Sequence, residues 1–372
     1  MNRTTLVTLL TFAALVLALI SGAAFVTAGP LTPPAGSVAP SYKTLGDVEP
    51  RTAISAANTP GNAQCVHRIT QPGSYYLTGN IEAANDMAAI EIAANDVTID
   101  LAGFSVFRGP SGPSTRSLVR HASNFIRNTT LLNGTVRNSG LHGVELGSGA
   151  HIEKIRVEEP VQGGIAVFGD ARIVDCSVFN PGAFGVTAQG NSLIERVIVN
   201  SSSAEGIVMM GEGRVTECMV YFPQGVGILA GNRTTVARCQ VSNGASWGIS
   251  AQLNTTQQTI RDNMLYQNAL GNVRLYFRAV ATGNHCSLSG AVPNIFAMES
   301  ANRIEDNACS GGTDAVKVDP GASDNLVIRN SSVGATVGHG FVNIAAANNQ
   351  IGPVLAAAGS ITSSNPWANF SR

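Results

Sequence analysis

The sequence is short of charge, of aromatic rings and of like-sign runs. Charged residues make up 13% of the 372, aromatics 6%, and no Lys or Arg adjoins another. With a net charge of −1, the chain lacks the basic stripe of a nucleic-acid binder, so that partner class is set aside. Apolar content of 44% alongside so little charge excludes a disordered polymer. His67, His121, His142, His151 and His285 have no metal-ligand spacing, so neither a metal nor a cofactor is expected. What is plentiful is glycine, 40 residues, and much of it is placed regularly.

The first 28 residues have the form of an export signal. Arg3 supplies a positive start, Leu6 to Ile20 an apolar core, and Val26-Thr27-Ala28 a small-x-small cleavage site. The same stretch is nearly long enough to remain as a membrane anchor. After cleavage the expected location is the cell envelope or the exterior, with no membrane partner and a monomeric state. Residues 29–88 read as a Pro/Gly-rich lead-in and N-terminal cap, 89–351 as the body, and 352–372 as a C-terminal cap.

Gly143, Gly164, Gly185, Gly206, Gly227 and Gly248 recur every 21 residues. Leu131, Ile152, Ile173, Ile194, Val215 and Val236 keep the same period, as do Val136, Val157, Val178, Val199, Val220 and Val241. Ile155, Cys176, Val197, Cys218 and Cys239 form a further column. β-Branched residues two apart, with Gly, Asn, Asp and Ser between, make short strands joined by turns. Leucine-rich columns and a helical half are both missing, which removes the leucine-rich repeat. The expected fold is all-β, a single right-handed parallel β-helix with coils of about 21–23 residues, its hand following from the crossover rule. After Gly248 the period loosens, and Asn263, Asn284, Asn307 and Asn330 take the cysteine position as an expected ladder.

Charge follows the repeat too. Lys154, Asp175, Arg196, Glu217 and Arg238 alternate in sign, so opposite charges should pair one coil apart. Cys218 and Cys239, like Cys286 and Cys309, fall on neighbouring coils. The spacing allows a disulfide, but parallel Cβ vectors favour buried thiols.

The run Ile69-Thr-Gln-Pro-Gly-Ser-Tyr-Tyr-Leu-Thr-Gly-Asn80, then Val97-Thr-Ile-Asp-Leu-Ala-Gly-Phe104, and the ending Asn365-Pro-Trp-Ala-Asn-Phe370 resemble bacterial exported right-handed β-helix proteins of the pectin-lyase-like superfamily. That resemblance spans about residues 30–370 and implies the fold and export; it carries over no catalytic residue. Polygalacturonase-like enzymes combine Asn-Pro-Asp, Asp-Asp, Gly-His-Gly and Arg-Ile-Lys. Here Gly338-His339-Gly340 stands alone, which makes His339 a turn residue.

Two features remain as candidate ligand sites. Asp170, Asn191, Glu212 and Arg233 form one column, and Asp170 and Glu212, two coils apart, approach the carboxyl separation of inverting glycosidases. Phe168 and Met210 could add an apolar shelf. The same residues also suit a plain turn. Phe179, Tyr221, Phe222 and Trp247 fall near one edge of the coils, as a sugar-stacking strip or a satellite cluster. The expected function is a non-catalytic scaffold for a polysaccharide or cell-surface glycan; the alternative is a lyase or hydrolase acting on a uronate-containing or other extracellular polysaccharide.

Overall fold

Each valine of the 21-residue register finds a strand. The computed structural model describes residues 50–371, except 85, 110–113, 289, 335–341, 344–347 and 356–362, together with 7–8 and 10–14. The expected cleavage site and His339 lie outside the described residues. Residues 7–8 and 10–14 are helical, and no helix among the described residues is long and apolar enough to cross a membrane.

A typical coil has three strands, Ile165–Val167, Arg172–Val174 and Ser177–Phe179. Among the described residues, first strands stack in a 14-stranded sheet, while second and third strands join one of 26 strands. Like residues sit on like: Ile165 on Val186, Ile173 on Ile194, Val178 on Val199. These columns are fully buried, and each side chain contributes about 1.5–3 kcal/mol of transfer free energy.

The repeat glycines are required by close packing rather than by backbone conformation. A Cβ on Gly185 would lie 2.4 Å from Val199 Cγ1 and 2.5 Å from the Gly206 carbonyl oxygen. Glycine and valine columns therefore interlock, which explains why both end together. Beyond Gly248 the glycine position passes to Asn272 and Asn294, whose amides bond each other at 2.9 Å.

The alternating charged column has a backbone role that the sequence pattern hides. Lys154, Asp175, Arg196, Glu217 and Arg238 all have φ between 51° and 57°, the left-handed region; the last four each turn a second strand into a third, and Lys154 bends the one strand His151–Glu158 at the same place. Arg196 pairs with Asp175 at 2.6 Å and Arg238 with Glu217 at 2.8 Å, whereas Lys154 turns to Glu153 at 2.9 Å. The expected pairing thus occurs as separate couples on alternate coils.

Where the residue after this turn carries a donor, it has one task, while Ile155 and Val197 at the same position only fill the core. Cys176, Cys218 and Cys239 direct their thiols to the carbonyl two residues back, at 3.2, 3.3 and 3.4 Å. Asn307 and Asn330 donate to the corresponding carbonyl at 3.0 and 2.9 Å. All six cysteines are free and buried, and burial pushes the Cys176 thiol up to about 12. The asparagine ladder runs from Asn263 to Asn330 and continues onto Asn369, so the C-terminal tail adds a rung. A second ladder, Asn302–Asn325–Asn349, was not evident in the sequence.

Parallel pairing begins ahead of residue 89. Cys65–Ile69, Gly73–Tyr76 and Ile81–Ala83, expected within the cap, stack on the coil that follows. Pro60–Asn62 pairs antiparallel with Cys65–Ile69 and so occupies that strand's free edge.

One ion cluster makes a pH prediction. Arg329 bonds Asp306 at 2.7 Å and Glu305 at 2.8 Å, and Arg303 bonds Glu305 at 2.6 Å. The Arg329 bond holds Asp306, and the Arg303 bond holds Glu305, below the usual carboxylate range. A depressed carboxyl stabilises the fold above its unfolded pKa and loses that contribution as pH falls through its folded value. Asp306→Asn should therefore flatten the fall in melting temperature between about pH 5 and pH 2. An unchanged slope would refute the assignment.

Candidate functional site

Three of the four residues of the predicted ligand column, all but Glu212, sit in left-handed turns. Asp170, Asn191 and Arg233 have φ of 58°, 59° and 49°. The Asp170 N–H donates to the Gly190 carbonyl on the next coil at 3.0 Å, and the Asn191 N–H to that of Glu212 at 2.6 Å. Asp170 and Asn191 are exposed, and Glu212 forms an ion pair with Arg233. The Glu212 carboxylate thus meets a guanidinium on the next coil, which favours its ionised form. Phe168 meets His121 edge-on at 5.7 Å, while Met210 is exposed.

The aromatic group divides between faces. Phe179 and Tyr221 lie on third strands, and Phe222 occupies the following turn with φ 54°. Trp247 belongs to a first strand, is buried, and stacks on Phe296 at 6.1 Å with Arg274 over its ring. Trp247 precedes the repeat glycine, so it leaves the proposed edge. Tyr266 takes its place in register, through Tyr221, Ser242 and Tyr266. Its separation of 24 residues from Ser242, instead of 21, hid it from the periodic reading.

A trough of about 430 Å³ crosses the second strands, lined by Glu195, Arg214, Thr216, Thr235, Thr259 and Arg261 among others. Arg214, Thr235 and Thr259 are stacked partners on successive coils. Arg196 holds Glu195, and Asp262 holds Arg261 at 2.7 Å. Arg214 is exposed and has no ion-pair partner among the described residues. The trough thus offers one unpaired guanidinium beside a row of hydroxyls.

A second polar assembly lies on the first strands. Arg68, Glu91, Arg120 and Glu145 stack in register, alternating in sign. Glu91 is almost fully buried, 3.3 Å from Arg68 and 3.6 Å from Arg120. Ser117 donates to Glu145 at 2.7 Å. The His121 side chain is 4% exposed; neither ring nitrogen is hydrogen-bonded, and Glu145 lies 3.9 Å away. His142 accepts the Gly163 N–H at its Nδ1, and burial lowers its pKa. Steps of 23, 29 and 25 residues concealed this column, because turns of unequal length separate its strands.

The family described as right-handed beta helix region matches residues 163–298. The chain folds as a right-handed parallel β-helix. Among solved structures, the A-module of the Azotobacter vinelandii mannuronan C-5 epimerase AlgE4 is similar to this β-helix. The two are 16% identical with a TM-score of 0.64, over 75% of this chain and 90% of that one. DFA-IIIase from Arthrobacter chlorophenolicus is 14% identical with a TM-score of 0.52, over 68% and 83%. The Dettilon tailspike protein is 15% identical with a TM-score of 0.52, over 73% and 61%. At these identities the likeness is one of fold. No curated protein matches the β-helix sequence.

Proposed function

We propose that this β-helix is an exported scaffold that binds an extracellular polysaccharide in the trough across its second strands. Fold alone assigns no function, and the same architecture carries both enzymes and binders. The observation that supports the reading is Arg214, an unpaired guanidinium set among Thr216, Thr235 and Thr259. Hydroxyls exchange hydrogen bonds with sugar hydroxyls, and a guanidinium grips a sugar carboxylate in two-point fashion. An acidic polymer therefore fits the trough better than a neutral one. Export is supported by the apolar segment after Arg3 and its small-residue cleavage pattern.

The test is binding of the full chain to immobilised mannuronan, polygalacturonate and a neutral glucan at low salt. Arg214→Ala should weaken binding to the acidic polymers about tenfold, the loss of one charged hydrogen-bonded contact. Equal binding by the variant would end this reading. A second reading, a polysaccharide lyase or hydrolase, is favoured by His121 beside Glu145, since a buried imidazole next to a carboxylate is a recurrent proton-transfer arrangement. Product formation from the same polymers, lost in Glu145→Gln, would select the enzyme.

A further inference from the structure

The outward surface of the third strands carries a ring on every second coil. One column runs Phe179, Asn200, Tyr221, Ser242, Tyr266 on five successive coils. Rings two coils apart are separated by about 9.6 Å, twice the strand spacing. The adjoining column adds Ile198, Met219 and Met264, all exposed, and Tyr266 is itself 51% exposed. Exposed apolar side chains gathered on one face, with Asn200, Gln240 and Ser242 between them, mark an interaction site.

The details of the strip select its occupant. The charges beside it are matched: Arg156 with Glu158, Asp175 with Arg196, Glu217 with Arg238, Asp262 with Arg261. An uncharged ligand suits such a face. The Arg156 guanidinium already lies over Phe179 at 4.4 Å and closes that end; Tyr221 is half-buried with its hydroxyl on Met219 Sδ, and Tyr266 is exposed. The Asn200 side chain stands in the gap between rings; its Oδ1 accepts from Ser201 Oγ at 2.7 Å, and a purely apolar partner would cut its amide N–H groups off from water. An extended sugar chain meets all three conditions. The apolar face of a sugar ring lies flat on an aromatic ring, its hydroxyls reach an amide, and alternate sugars present the same face.

We infer that Tyr221 and Tyr266, with the Arg156-capped Phe179 closing one end, form a stacking platform for an uncharged, extended linear glycan whose two-sugar repeat matches two coils. The inference rests on the proposed glycan-binding function but uses a different face from the Arg214 trough.

Calorimetric titration of the full chain with β-1,4-linked gluco-oligosaccharides of two, four and six sugars tests it. Affinity should rise with each added pair. Tyr221→Ala and Tyr266→Ala should each weaken hexasaccharide binding about tenfold, with Tyr221→Phe and Arg214→Ala unchanged. The platform is overturned if the hexasaccharide does not bind or if the alanine variants bind as the parent does. It is also overturned if those variants convert a dimer to a monomer in sedimentation, which would make a second copy the occupant. Loss of acidic-polymer binding in Arg214→Ala with no effect of the tyrosine variants would leave the trough reading standing and remove the platform. The reverse pattern would remove the trough alone.

Discussion

Asn307→Leu is expected to destabilise the C-terminal coils by about 3–5 kcal/mol, more than most single substitutions. The Asn307 Oδ1 accepts from the backbone N–H of Asn284 at 3.0 Å and from its side-chain Nδ2 at 2.9 Å. Its own Nδ2 donates to the carbonyls of Ala281 and Glu305 and to Asn330 Oδ1. Leucine fills the volume yet leaves donors on the coil below and acceptors around it buried without partners. Each such group costs about 1–3 kcal/mol. Stacked coils are coupled mainly to their neighbours, so damage should begin locally. Limited proteolysis should cut after residue 260 or so well before the valine-rich coils open, and urea unfolding should reveal a separate early phase. A single transition with the parent midpoint would show that the ladder carries no net stability.

Val199→Asp is expected to prevent folding altogether. Val199 is fully buried between Val178 and Val220, in a column of like residues. Valine against glycine leaves no slack, because Gly185 approaches Val199 too closely for even a methyl group between them. A carboxylate there would lie inside the stack without a cation, a loss of several kcal/mol beyond the missing apolar burial. Soluble yield and circular dichroism provide the measurement. Soluble protein with the parent melting temperature would contradict the inward placement of this column.

Both substitutions strike columns that the sequence displays openly. A 21-residue period carries Val178, Val199 and Val220 to one place on successive coils, so counting along the chain substitutes for a contact map. The asparagine positions were legible for the same reason, even with the period stretched to 23. Other features needed the coordinates. Arg196 has an acid on each neighbouring coil, at Asp175 and at Glu217, and periodicity cannot say that it takes Asp175. That choice depends on side-chain reach from a left-handed turn.

The sequence by itself determined the fold, the inward columns and the asparagine ladder, because coils of 21 to 23 residues put interacting residues at nearly constant separation. Only the tertiary structure decided which surface residues meet. Tyr266 joins Tyr221 across an enlarged turn, Trp247 departs to another sheet, and Arg68, Glu91, Arg120 and Glu145 align through unequal steps. Strand pairing restores a register that turn length conceals: the hydrogen bonds between coils fix which residues face each other, whatever the number of residues looped out between them.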